Sequence, residues 1–252
     1  MSTAEGTSVA STLSDVRARS LDEPSPTTPS TPKRIAALFI VLAVAFALST
    51  MTSVLRVFGV RFDYPDTLVG YRYFFTLVHE LIALAVLAYV VWQNRQGLAH
   101  LGAVFRVTDV GYGVLLWIVA ECCYRLAFPT ILSISERVGW HKAPPYYPST
   151  HLALALITYC FVAINPVYEE MIVRAFLISE TAALTGSYAI AVLFSVLLQI
   201  SYHLYQGIPY ALALGVVFLI FSIYYVRAHR IWPIVIAHFI MDLSFVLISR
   251  PV

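Results

Sequence analysis

The sequence predicts an all-α membrane protein, a polytopic bundle of about seven or eight helices. Hydrophobic residues make up 60% of the 252-residue chain and charged residues only 12%. Mean hydropathy is +0.79, which lies outside the usual balance of a soluble domain. The apolar residues form long runs without the alternation of barrel strands, and only helices or closed barrels satisfy backbone polar groups in lipid. The fold class is therefore helical.

The first residues of the chain, 1–33, are rich in Ser, Thr, Pro and Ala and contain the cluster SPTTPSTP. Such a composition buries too little apolar surface to offset the entropy of ordering, which predicts a disordered N-terminal tail. The first apolar run begins only after Lys33 and Arg34 and is about as long as a full bilayer span. We therefore expect a retained helix there and not a cleaved signal peptide.

Apolar runs of roughly bilayer length recur along the chain. They cover residues 35–54, 71–92, 110–134, 151–164, 186–203, 208–226 and 231–249. A further stretch, 166–184, has a helical pattern but begins with polar residues, so it is predicted as a helix and not as an ordinary span. Because the first two spans hold fewer candidate groups, the sequence predicts N-terminal transmembrane helices in 34–109 and a catalytic helical core in 110–252.

Charge excludes one class of partner. The net charge is +2, and the basic residues are spread over many loops, so the concentrated basic face that nucleic-acid binding needs is missing. The loops show almost no positive-inside bias, but the long polar tail beside the first helix favours a cytoplasmic N terminus. The compact length and the lack of an organelle address favour a bacterial cell membrane, with the endoplasmic reticulum as the alternative.

Ionisable groups occur at membrane depth in the segment NPVYEEMIVRAF. Such groups are costly in lipid unless they line a polar cavity or have a partner. Asn165 followed by Pro166 is typical of an N-cap and a first helical residue, which would place Glu169 about one turn inside a helix. Glu170 and Arg174 are four residues apart and can pair on one face, which leaves Glu169 to point elsewhere. A purely structural Glu/Arg clamp at the membrane surface is the alternative.

Two later helices add histidines. Gln199 and His203 share one predicted helical face, and so do His238 and Asp242. Alone, His203 is typical of a hydrogen-bonded core residue, and the second pair is typical of a polar clasp between helices. Asp242 or a water molecule could hold one imidazole nitrogen of His238. Because separate helices each bring groups suited to water activation or oxyanion stabilisation, their combination indicates hydrolysis of a peptide bond.

These motifs also carry a family resemblance. The pattern Glu-Glu-x-x-x-Arg at 169–174, a histidine at 203 after an apolar helix, and His-x-x-x-Asp at 238–242 resemble the CPBP intramembrane protease family. That family includes the type II CAAX prenyl endopeptidases and the bacteriocin-processing and immunity proteins. The resemblance covers about residues 110–250 and implies a bundle of about eight helices, with catalytic groups that open into a cavity within the membrane.

The resemblance assigns expected roles to individual residues. It implies that Glu169 is the base that activates water and that His203 is its helper. It also implies that His238 and Asp242 stabilise the oxyanion. The family has often been labelled as metalloproteases, and these four side chains offer the nitrogen and oxygen ligands that zinc accepts. A glutamate-dependent mechanism uses the same groups without a closed coordination sphere, so no metal is favoured, with zinc as the alternative. The sequence has no glycine-rich phosphate loop and no haem-attachment motif, so no organic cofactor is predicted.

The remaining motif residues have secondary places in this scheme. Glu170 and Arg174 are expected to support the site. Gln199 stands where the family usually has Phe, and a polar group there could alter the pocket. No complete HExxH motif is present: His79 and Glu80 begin one, but the position of its second histidine is occupied by alanine. We expect these two residues to make a polar contact within the second helix.

The sequence therefore predicts an intramembrane endopeptidase that hydrolyses a peptide bond of a membrane-associated peptide or protein with a glutamate-activated water. One alternative is a non-catalytic immunity or scaffold protein of the same fold. The other is a small proton-coupled transporter, for which internal repeats with paired broken helices would be expected, and the sequence shows none. The helices do not specify the substrate, because specificity depends on the shape of the cavity.

Overall fold

Helices account for nearly all of the chain that can be described. The computed structural model describes residues 30–60, 69–95, 97–140 and 152–248. Within these ranges there are eight α-helices and no strand. The α-helices are α1 (Thr31–Val57), α2 (Val69–Gln93), α3 (Thr108–Arg137), α4 (Leu152–Glu169), α5 (Leu177–Thr185), α6 (Tyr188–His203), α7 (Ile208–Ala228) and α8 (Trp232–Ile248). The predicted all-α fold class is confirmed.

Shorter helical pieces join some of these helices. A π-helical segment, Glu170–Phe176, links α4 directly to α5. Single 3₁₀ turns lie at Leu98–Leu101, before α3, and at Leu204–Gln206, between α6 and α7. Apart from Thr31, Pro32 and Lys33, which form the start of α1, and Ser30 before them, the predicted disordered tail lies outside the described residues.

Six helical segments are long and apolar enough to cross a membrane. They are Thr31–Val57, Tyr71–Gln93, Thr108–Arg137, Leu156–Thr185, Tyr188–Gln206 and Ile208–Ala228, and a shorter apolar helix covers Trp232–Leu247. Their outer faces carry large apolar side chains, such as Phe39 at 69% exposure and Leu126 at 78%. An integral membrane protein has this arrangement, because lipid accepts apolar groups on the outside and leaves ionisable groups to the interior.

One predicted helix boundary is wrong. Asn165 was expected to cap a new helix at Pro166, but α4 continues through both residues and on into the π segment. Asn165 lies inside a continuous helix and does not cap it; its side-chain nitrogen donates a hydrogen bond to Glu80 Oε1 at 2.9 Å. The missing amide hydrogen of Pro166 costs one helical hydrogen bond, a loss that transmembrane helices tolerate where neighbouring helices and local adjustments compensate.

The π segment lies at the centre of the bundle. All seven of its residues are buried, and the segment contacts α1, α6 and α7. In a π-helix each backbone hydrogen bond spans five residues, one more than in an α-helix, and such segments often occur at functional sites. Here the change from α-helix to π-helix falls between Glu169 and Glu170, so the backbone geometry differs at the two acids.

Close packing brings the last helix onto the same core. Helix α3 packs against α7 and α8. At Gly113 of α3 a Cβ atom would lie 2.7 Å from the Cβ of Ile236 in α8, so only glycine permits this approach of the two helices. The start of α8 is tied to α3 by an ion pair between Arg230 and the buried Asp109. These contacts set the position of the polar side chains that α8 carries.

Candidate active site

Glu169 lies at the junction of α4 and the π segment and is 6% exposed. Its Oε2 accepts hydrogen bonds from the Tyr202 hydroxyl at 2.6 Å and from Gln199 Nε2 at 3.2 Å. Among the described residues, its Oε1 has one long contact of 3.4 Å, from Asn165 Nδ2. The two oxygens therefore differ: two donors from α6 hold Oε2, whereas Oε1 is weakly held and has lone-pair capacity for a further donor.

His203 is the last residue of α6, one position after Tyr202. Its Nδ1 lies 3.0 Å from the carbonyl oxygen of Gln199. Because a carbonyl oxygen can only accept, Nδ1 carries the proton in this contact and Nε2 is left for the site. The ring is flanked by Tyr202, with 4.6 Å between ring centroids, and by Phe218 of α7 at 5.0 Å. The backbone bond and these rings hold the imidazole in one orientation.

His238, on α8, is 4% exposed. Its Nδ1 donates to Glu170 Oε1 at 2.7 Å, whereas its Nε2 is 3.6 Å from Asp242 Oδ1. The sequence pointed to Asp242 or a water molecule as the group that holds this imidazole. That expectation needs correction: Glu170, from the π segment, makes the direct hydrogen bond, since 3.6 Å is too long for one. Packing of α8 against α4, which runs directly into the π segment, brings Glu170 closer than a neighbour on the same helix.

Glu170 also pairs with Arg174, as the spacing predicted. Arg174 Nε lies 3.2 Å from Glu170 Oε2, and both side chains are fully buried. The arginine carbon Cζ lies 5.2 Å from the ring centroid of Phe218 and 5.8 Å from that of Phe221, within the range of cation–π attraction. The pair is thus not a clamp at the membrane surface. Glu170 joins Arg174 to His238, one oxygen to each, and so orients a site histidine.

Short contacts connect the helices that carry the predicted catalytic side chains. Glu169 accepts from Gln199 and Tyr202, the neighbours of His203 on α6. Glu170, the residue after Glu169, accepts from His238, whose Nε2 is 3.6 Å from Asp242 Oδ1. The four predicted catalytic side chains come from α4, α6 and α8. The structure therefore brings together groups that are separated by tens of residues in the chain, in a buried region where charge interactions are stronger than in water.

Three further residues of this region were missed or misread from the sequence. Tyr202 is not among the predicted site residues, although it lies three residues after Gln199 and so shares its helical face. Glu80 was expected to make a contact within α2, but it bonds to Asn165 of α4. His79 bonds to the carbonyl oxygen of Val44 in α1, with 2.7 Å between Nε2 and that oxygen. Only packing between helices reveals these last two contacts.

A metal would need at least three of these donors to converge. In the part of the chain that the structure describes, no group of three or more His, Cys, Asp and Glu side chains could hold a metal ion. Glu169 Oε2 is engaged by Tyr202 and Gln199, and Nδ1 of His203 is engaged by a backbone carbonyl. A catalytic zinc site usually has three protein ligands, and no such group of three converges among the residues that the structure describes.

Comparisons with known proteins support the resemblance in the sequence. Residues 151–244 match the family described as "Type II CAAX prenyl endopeptidase Rce1-like". No curated protein matches the chain, and no solved structure matches it. The matched segment contains Glu169, His203, His238 and Asp242, together with the π segment at the centre of the bundle. Residues 151–244, 94 of the 252 residues, are therefore similar to the type II CAAX prenyl endopeptidases of that family description.

Proposed function

We propose that this protein is an endopeptidase that cleaves a membrane-associated peptide with a water molecule activated by Glu169. One observation carries the proposal: the buried Glu169 carboxylate has one oxygen held by Tyr202 and Gln199 and the other only weakly bonded. A general base needs this arrangement, because the group must be held in place and still keep a lone pair for the proton. Protonation of a fully bonded carboxylate would instead require the loss of a hydrogen bond.

The proposed reaction begins with a water molecule beside Glu169 Oε1. The carboxylate takes a proton from this water while the oxygen attacks the carbonyl carbon of the peptide bond. His203, whose Nε2 is left for the site, helps to hold the water. The carbonyl oxygen becomes an oxyanion. The C–N bond then breaks, and the proton held by Glu169 passes to the leaving nitrogen, which gives a free amine and a new carboxylic acid. The acid releases its remaining proton to water and leaves as a carboxylate.

His238 is the proposed oxyanion donor. Its ring lies between Glu170, which accepts from Nδ1, and Asp242, which is 3.6 Å from Nε2. As an imidazolium flanked by two carboxylates, the ring has N–H donors on both nitrogens. A donor held in place before the reaction stabilises developing negative charge with little reorganisation. Asp242 is proposed to keep the Nε2 side of the ring directed toward the substrate carbonyl.

The proposed substrate class is a peptide anchored in the membrane, and the first candidate is a peptide with a prenylated C-terminal cysteine motif. Support comes from the description of the matched family and from the depth of the site in the membrane. A covalently attached lipid chain would hold a peptide at the membrane, because each buried CH₂ contributes about 0.8 kcal/mol of binding free energy. We further propose a bacterial cell membrane as its location, in line with the compact chain. A cytoplasmic N terminus is proposed as well, supported by the basic residues Lys33 and Arg34 before the apolar part of α1.

Cleavage of a defined peptide tests this proposal. The purified protein in proteoliposomes is mixed with an internally quenched peptide that ends in a farnesylated Cys-aliphatic-aliphatic-X sequence, and products are identified by mass spectrometry. We expect cleavage at one bond, and slower cleavage of the same peptide without the lipid. Comparison of the cleaved peptides in whole proteomes with and without the protein extends the search to other substrates. Absence of any protein-dependent product would support the scaffold alternative.

Treatment with a metal chelator tests the catalytic type. We expect the cleavage rate of the wild-type protein to remain unchanged after incubation with EDTA and removal of the chelate, because the proposed steps use only side chains of the protein. The rate is measured on the same quenched peptide, and a zinc-dependent peptidase treated in parallel serves as the control. Loss of activity that added zinc restores would instead assign Glu169, His203, His238 and Asp242 to a metal site.

A further inference from the structure

Glu80 is a buried acid that lies outside the segment matched to the protease family. It belongs to α2 and is 1% exposed. Its Oε1 accepts a hydrogen bond from Asn165 Nδ2 at 2.9 Å, and the same nitrogen lies 3.4 Å from Glu169 Oε1. One amide group thus connects two carboxylates from different helices. The connection ends on the oxygen of Glu169 that the proposed mechanism uses.

The chemistry of this connection favours a directed contact over simple packing. An Asn side chain has two N–H donors on one nitrogen, so it can serve both acids at once. The shorter bond goes to Glu80, which therefore sets the orientation of the amide, whereas the longer contact to Glu169 is the weaker of the two. Without Glu80 the amide group would be free to rotate, because its only other partner among the described residues is at 3.4 Å.

The connection to Asn165 does not satisfy the whole carboxylate of Glu80. Its second oxygen, Oε2, is buried and has no hydrogen-bond partner in the described part of the chain. Burial of an acid with an unsatisfied oxygen in a membrane span destabilises the folded protein. Such a group is expected where it contributes to a functional site.

We propose that Glu80 is a positioning residue that acts on Glu169 through Asn165. This inference rests on the proposed function, in which Glu169 Oε1 receives the proton of the attacking water. Glu80 accepts from the Asn165 amide and so fixes the donor that restrains Oε1. The consequence is that the active site extends beyond residues 151–244 into α2, and that the N-terminal helices contribute to catalysis as well as to anchoring.

Two substitutions of Glu80 separate hydrogen bonding from packing. Glu80→Met keeps the approximate size of the side chain but cannot accept from Asn165, whereas Glu80→Gln keeps an acceptor oxygen. We expect Glu80→Met to lower kcat about tenfold or more with little change in KM, because small displacements of a base have effects of this size. Glu80→Gln should recover most of the wild-type kcat. Both constants are measured on the farnesylated quenched peptide or, if that peptide is not cleaved, on the substrate found by the proteome comparison.

A double-mutant cycle tests whether Glu80 acts through Asn165. We expect Asn165→Leu to lower kcat to a similar extent, and Glu80→Met combined with Asn165→Leu to cause no further loss, because residues in one hydrogen-bond network are non-additive. The matched control is Glu180→Met. Glu180 is also a buried acid, 2% exposed, but it pairs with Arg34 at 2.8 Å, away from Glu169. We expect this control to keep the wild-type kcat.

The results distinguish this inference from the proposed function. Wild-type kcat in the folded Glu80→Met protein would overturn the inference, and so would additive losses in the cycle or a Glu80→Gln protein as slow as Glu80→Met. Because Met replaces a buried acid with an apolar group of similar volume, we expect the Glu80→Met protein to fold. If it does not fold, kcat is compared between Glu80→Gln and Asn165→Leu, and equal values for these two proteins would overturn the inference. Failure of the proposed function would appear instead as full cleavage by a Glu169→Gln protein.

Discussion

Peptide cleavage is expected to be lost when Glu169 is replaced by Gln, while the protein still folds. The substitution is nearly isosteric, and the Gln carbonyl oxygen can still accept from the Tyr202 hydroxyl, which now lies 2.6 Å from Glu169 Oε2. An amide cannot take the proton of water, however. Loss of a general base lowers kcat by about 10² to 10⁴. We therefore expect kcat to fall in this range.

Product formation and thermal unfolding are measured on the same purified preparation. Stability should be retained, because the change removes a buried charge and leaves a group of the same shape. Glu180→Gln provides the control for loss of a buried carboxylate, since Glu180 lies in a different ion pair, with Arg34. Full activity of purified Glu169→Gln would exclude Glu169 as the base. A non-catalytic immunity or scaffold protein would tolerate the substitution without loss of its cellular effect.

Replacement of Arg174 by Met is expected to cause the largest loss of stability. Arg174 and Glu170 are both fully buried and form an ion pair. Removal of one partner leaves the other charge buried without compensation, which costs about 3 to 5 kcal/mol. The cost is measured as the change in free energy of unfolding in mixed detergent micelles. The control is Arg125→Met, which breaks the exposed pair of Arg125 with Glu121 on α3 and should cost at most about 1 kcal/mol.

A double variant separates stability from activity at the same site. Glu170→Met combined with Arg174→Met removes both buried charges, so we expect most of the lost stability to return. Cleavage should not return, because His238 Nδ1 loses the acceptor that lies 2.7 Å away in the wild-type protein. An unstable double variant would show that Glu170 and Arg174 stabilise the fold by more than the neutralisation of each other's charge. A fully active double variant would show that Glu170 does not orient His238.

Local spacing in the sequence predicted several features of the site. The four-residue separation of Glu170 and Arg174 predicted their ion pair, which the structure confirms. It also implied that Glu169 faces another direction, and Glu169 does point toward α6, where it contacts Gln199 and Tyr202. These predictions succeeded because neighbours on one helix are related by a constant rotation of about 100° per residue.

The same reasoning failed where two signals competed. Asn165 and Pro166 are a common start of a helix, but at this site the helix continues through both residues. The side-chain nitrogen of Asn165 donates to Glu80, on another helix, a contact that local sequence does not indicate. The partner of His238 was misjudged for a related reason: Asp242 is its neighbour on α8, but Glu170 comes closer through packing.

Composition and periodicity by themselves determined that this is an all-helical membrane protein, and spacing within each helix determined which polar groups share a face. These properties depend on residues that are near one another in the chain. Tertiary structure alone decided that Glu80 of α2 approaches Asn165 and that Glu170 holds His238. The physical reason is that contacts between helices depend on their axial shifts and crossing angles, which are set by packing at positions such as Gly113.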